Sequence, residues 1–126
     1  MILTDKEYDS IYSKVPRICV DIVIGGRGKF HLVMRDIQPY KGKYHLPGGR
    51  VRFRESITNA VQRIALKEIG CHVKIKKMIG FMEFPREIQG GSNRHSISIV
   101  FLCTANVPKR SLVNVHPVHL KFLKSL

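Results

Sequence analysis

Hydrophobic patterning divides the chain into strands and helices before any chemistry is considered. Residues 17–24 form a near-continuous apolar and β-branched run, the pattern of a buried strand, interrupted by a carboxylate at Asp21. A Gly25-Gly26-Arg27-Gly28 turn follows, and residues 29–35 read as the return strand of a hairpin ending on Arg35. Residues 36–43 carry Pro39 and Gly42 and read as a loop; residues 43–46 resume extended structure before a Pro47-Gly48-Gly49 turn and a short basic strand. Residues 56–69 have the best helical periodicity, with Ile57, Ala60, Val61 and Ile64 in one stripe, Ala65 at its edge and Gly70 as the stop. Alternation predicts a strand with a basic wet face over 71–79, extended structure over 80–84 and a strong strand over 94–104. Pro85 to Asn93, with Gly90-Gly91, reads as a long loop, and residues 105–115 as irregular. At the ends, Thr4-Asp5-Lys6-Glu7 is a capping box before Tyr8, Ile11 and Tyr12, and His116-Pro-Val-His119 opens a short last helix.

Two carboxylates stand where apolar residues belong. Glu68 falls in the middle of the helical stripe, flanked by Arg63 and Lys67. An inward carboxylate is costly unless it binds a cation or is well hydrogen-bonded, so either Glu68 has such a partner or the helix end has turned to solvent. Asp21, within its strand, either faces a polar cleft or pairs with a basic neighbour.

Composition adds bounds. The chain has 126 residues, is read as a single domain over 1–126, and is long enough for a sizeable core. Twenty-two Lys and Arg against nine Asp and Glu give a net charge of +13, which favours anionic partners: nucleotides, acidic metabolites or RNA. No apolar run approaches the roughly 18–20 residues of a membrane span, and the first residues do not read as a signal peptide, so no membrane partner and a cytoplasmic location are expected. Cys19, Cys71 and Cys103 are odd in number, widely spaced and in apolar surroundings, and read as reduced core residues.

Residues 49–71 resemble a Nudix box: Gly, five residues, Glu, seven residues, Arg-Glu-aliphatic, any, Glu-Glu, any, Gly-aliphatic. Gly49, Glu55, Arg63, Ala65, Glu68 and Gly70 stand at the expected places, whereas Ile64 and Lys67 replace two of the pattern's glutamates. The hairpin before the box, Arg35, the Arg94-His95-Ser-Ile-Ser strand and the His116-Pro-Val-His119 stretch are similar to Nudix hydrolases as well, so the likeness runs through nearly the whole chain. It is nearest to the GDP-mannose mannosyl hydrolase type, whose box lacks the same two glutamates.

That resemblance implies an α/β fold, a Nudix-type α/β/α sandwich with a mixed β-sheet, often homodimeric. It also implies a magnesium (or manganese) cofactor and a nucleoside diphosphate-linked substrate, such as a GDP-mannose-like nucleotide sugar. In that branch water attacks the anomeric carbon. The Gly48 carbonyl and Glu68 would hold one metal, with Glu83 a further candidate ligand. Arg35 and Arg50 would hold the diphosphate, with Asp21 near the nucleotide sugar. Glu55 and Arg63 would form an internal salt bridge at the loop–helix junction. Lys67 either puts its ammonium where a second cation would sit or is a solvated flank. Residues 105–115, where the branch keeps a further ligand and its general base, contain no Asp, Glu, Gln or His. His95, His116 and His119 remain as base candidates, and Glu83 and Glu87 flank the long loop. The alternatives are pyrophosphate cleavage of ADP-ribose or a nucleoside triphosphate, and a Nudix-fold module that binds nucleotide or RNA without turnover.

Overall fold

A computed structural model describes residues 2–26, 29–34, 44–107 and 112–114. In chain order the elements are α1 (Asp5–Tyr12), β1 (Arg17–Gly26), β2 (Lys29–His31), β3 (Val33–Met34), β4 (Tyr44–His45), β5 (Gly48–Arg50), α2 (Ile57–Glu68), β6 (Lys74–Gln89), β7 (Ser92–Thr104) and β8 (Leu112–Asn114). The architecture is α/β with a mixed sheet in the order β6-β7-β1-β2-β8. β5 also pairs with β1, and β3 and β4 form a separate small ladder. The central strand β1 runs parallel to β7 and antiparallel to β2 and β5.

Alternation along β1 separates the two faces of the sheet. Val20, Ile22 and Ile24 pack with Ala60, Val61, Ile64 and Ala65 of α2, together with Val73 and Cys103. On the opposite face Val23 joins Phe30 and Val100, and Arg17, Cys19 and Asp21 share that side. α2 forms where its periodicity places it. The Ser56 side chain caps it by accepting from the Asn59 amide, and it stops at Gly70, whose φ of 89° glycine adopts without strain. The Gln62 side chain binds the Val73 amide and carbonyl at 3.0 and 2.7 Å, tying α2 to the strand that follows. The capping box at Thr4 and Glu7 is made in both directions.

Four expectations are corrected. Residues 85–93 are not a long loop: β6 continues to Gln89, and Gly90-Gly91, with φ of 58° and 82°, make a tight turn into β7. Pro85 is tolerated because β6 is an edge strand and the ladder bulges between Phe84 and Glu87. The return strand after the first hairpin breaks at Leu32, and its second piece, β3, pairs with β4. Gly48 and Gly49 lie in β5, and the basic stretch after them is the turn, with Arg54 at a φ of 62°. Residues 105–115 contain a strand, β8, paired with β2. Arg35, the 36–43 loop and the His116–His119 helix lie outside the described residues. No helix among the described residues is long and apolar enough to cross a membrane.

Candidate functional site

The site is built where β1 meets β5. Asp21 and Gly48 are cross-strand partners, and the Ile22 amide donates to the Pro47 carbonyl at 2.8 Å. Gly48 is required there by space: a methyl group would collide with Asp21 Oδ1 and stand 2.7 Å from the Val20 carbonyl oxygen. The Gly48 amide donates to Glu68 Oε2 at 3.0 Å, so the half-buried acid at the end of α2 reaches back to the strand. Asp21, Gly48 and Glu68 therefore meet at one corner of the sheet.

Electrostatics mark this corner. Asp21 is pushed up to about 6, above all by burial. The Ser98 hydroxyl, which donates to Asp21 Oδ2, and the nearby His45 work against that rise, while the negative charge of Glu68 adds to it. The His45 Nδ1 lies 2.7 Å from the Leu46 carbonyl oxygen. Among the described residues no three Asp, Glu, His or Cys side chains converge to hold a metal. Magnesium needs no such cage: one or two carboxylates suffice when water and substrate phosphates complete its shell. A buried carboxylate whose proton affinity a neighbouring half-buried carboxylate raises, beside a glycine backbone, is a donor set a hard divalent cation fits.

Glu55 and Arg63 lie at the mouth of α2. Arg63 Nε is 2.7 Å from Glu55 Oε2 and its Nη2 is 2.9 Å from Oε1, while Nη2 also donates to the Arg50 carbonyl at 2.8 Å. Those donors, with the Arg52 amide, hold the Glu55 carboxyl down at about 2. Ile64 is buried in the α2 core and would lie 3.3 Å from a methyl placed on Gly49, so position 64 serves packing. Lys67 is exposed in the last turn of α2.

The face that carries Asp21 continues toward α1 as a polar row that the sequence reading had not assembled. Arg50 is the cross-strand partner of Cys19. Arg17 donates to Ser96 Oγ at 2.7 and 3.1 Å, to Gln89 at 3.1 Å and to the Tyr8 hydroxyl, and pairs with Glu87 at 3.3 Å. Arg94, buried, pairs with Asp9 at 2.8 Å. The signal for this row is the polar residue at every second position of β7, Arg94, Ser96 and Ser98, all buried. His95 alternates to the other side and does not join Asp21. Glu83, exposed on β6 and paired with Ile97, also stays apart from the corner, whereas Glu87 turns up on Arg17. Cys19, Cys71 and Cys103 are free thiols.

The family model for the NUDIX domain matches residues 15–117. Among curated proteins, the low-salt glycan biosynthesis protein Agl8 of Haloferax volcanii is 31% identical over 105 residues, covering 81% of this chain and 67% of that protein. The ADP-ribose pyrophosphatase of Methanocaldococcus jannaschii is 37% identical over 87 residues, covering 69% of this chain and 50% of its own length. Among solved structures, the MutT protein from Methanosarcina mazei Go1 superposes with a TM-score of 0.63 at 26% identity, over 81% of this chain and 71% of that one.

Proposed function

The chain belongs to the NUDIX domain family, and from that premise we propose that it hydrolyses a nucleoside diphosphate-linked sugar at the anomeric carbon, with one divalent cation. The observation that carries this is that Asp21 stands opposite Gly48, whose amide Glu68 holds from α2, with Arg50 two residues further along the same strand on the side of Asp21. Glu68 and the Gly48 carbonyl are the residues that would hold magnesium or manganese. The chemistry such a cation supplies when bound is neutralisation of the diphosphate, which makes it a better leaving group. Arg50 would take diphosphate oxygens with its guanidinium, assisted by Arg35. Asp21, ionised at neutral pH, would set a negative charge beside the sugar as positive charge develops on its anomeric carbon. Attack on carbon suits this box, because Ile64 and Lys67 occupy the places of two glutamates and position 64 is given to the core. A second reading, cleavage of the pyrophosphate bond, is supported by the likeness to an ADP-ribose pyrophosphatase.

Products separate the two. The protein is incubated with magnesium and GDP-mannose or ADP-ribose in oxygen-18 water, and the label is located by mass spectrometry. Label in free mannose beside unlabelled GDP is expected from GDP-mannose, whereas ADP-ribose, whose terminal ribose is joined to the diphosphate through C5 and not through its anomeric carbon, is expected to stay intact. Label in a nucleoside monophosphate or a sugar phosphate supports the second reading. Binding of these nucleotides without turnover would make the chain a binding module and end the hydrolase proposal. Glu68→Gln keeps an acceptor for the Gly48 amide, so it should leave the melting temperature nearly unchanged while lowering magnesium-dependent turnover about 100-fold or more. Unchanged turnover removes Glu68 from the metal.

A further inference from the structure

We propose that Tyr8 and Tyr12 of α1 are positioning residues for Arg50, setting its guanidinium for a diphosphate. The inference rests on the assignment of Arg50 to the diphosphate. It concerns a helix, residues 5–12, that lies outside the 15–117 span matched by the family model.

Tyr8 and Tyr12 are one turn apart on α1, so their rings are neighbours, with centroids 4.8 Å apart at 53°. The Arg50 guanidinium carbon lies over both, 5.5 Å from the Tyr8 centroid and 5.4 Å from that of Tyr12. Among the described residues its hydrogen bonding is one 3.4 Å contact to the Val51 carbonyl. Arg17 and Arg94 differ. Both also approach the Tyr8 ring, at 6.0 and 5.3 Å, but their N–H groups are taken up by Ser96, Gln89, Glu87, Asp9 and the Asn93 carbonyl. Arg50 is thus held by ring faces, which restrain a guanidinium without consuming its donors. Two parallel N–H groups then stay available for a bidentate phosphate contact. α1 is otherwise an unusual helix to keep, since none of its residues is buried and, beyond its own cap, Tyr8, Tyr12 and Asp9 meet arginines, with Ser92 also at Asp9.

Tyr12 is the informative position, because Tyr8 also serves Arg17 and Arg94. Binding of α,β-methylene-ADP and α,β-methylene-GDP, whose diphosphates resist cleavage, is measured by calorimetry with magnesium present. Arg50→Ala should weaken binding about tenfold or more, and Tyr12→Leu about three- to tenfold, with Tyr12→Phe within about twofold of the parent. In the Arg50→Ala background Tyr12→Leu should add nothing, which a purely structural role for Tyr12 would not produce. Full affinity in Tyr12→Leu while Arg50→Ala is impaired overturns the inference. So does an equal loss from Tyr12→Leu in both backgrounds. Unchanged affinity in Arg50→Ala overturns the diphosphate assignment itself, and the inference with it.

Discussion

Glu55 accepts from Nε and Nη2 of Arg63 and from the Arg52 amide, and those donors hold its carboxyl at about 2 against an ordinary 4.5. A carboxyl lowered on folding stabilises the fold wherever it is ionised, so this contribution is complete above about 4.5 and fades as pH falls toward about 2. Glu55→Gln should cost about 1.5–3 kcal/mol at neutral pH, with the gap to the parent closing in melts run toward pH 2. Asp21 has the opposite sign. Burial raises it to about 6 from 3.8, so the folded state loses stability as pH rises through that window. Asp21→Asn should therefore melt higher than the parent at pH 8, by about 2–3 kcal/mol, and match it near pH 3, while losing turnover. A variant less stable than the parent at pH 8 would show that the Ser98 contact outweighs the buried charge.

At the scale of elements, the corner depends on how closely β5 can approach β1. Gly48→Ala should cost about 2–4 kcal/mol and abolish metal-dependent binding, since its methyl meets both Asp21 and the Val20 carbonyl. A variant that melts and binds like the parent would mean that β5 can back away. Local signals were legible wherever one segment contains its own reason. Ser56 and Gly70 bound α2, the Thr4 box opens α1, and the apolar run of β1 marks the centre of the sheet. Legibility failed where a neighbour decides. Pro85 and Gly90-Gly91 look like loop residues until an edge strand with a bulge takes the proline and a two-residue turn takes the glycines. The same division runs through the site. Asp21, Gly48 and Glu68 stood out as acids and a glycine at odd places, but Tyr8, Arg17, Arg94 and Ser96 meet only once α1, β1 and β7 are assembled.

For the whole molecule the governing quantity is the +13 charge, since 22 Lys and Arg stand against nine Asp and Glu. Most of the 22 cationic side chains therefore repel one another across the surface, which opposes compaction and attracts anions. Salt screens both effects, and it screens exposed charges more than enclosed ones. The Arg63–Glu55 contact, whose acid is largely covered, should survive, whereas Arg94–Asp9, with its acid half exposed, should weaken and the long-range repulsion should relax. Raising sodium chloride from about 20 to about 300 mM is then expected to raise the melting temperature by several degrees while weakening α,β-methylene-ADP binding about tenfold. The two measurements move in opposite directions because one tracks repulsion within the chain and the other attraction to a ligand. A melting temperature that falls with salt would place the balance with the ion pairs that latch α1 and α2. An affinity that ignores salt would mean that the diphosphate is held by contacts buried from the field of the surface.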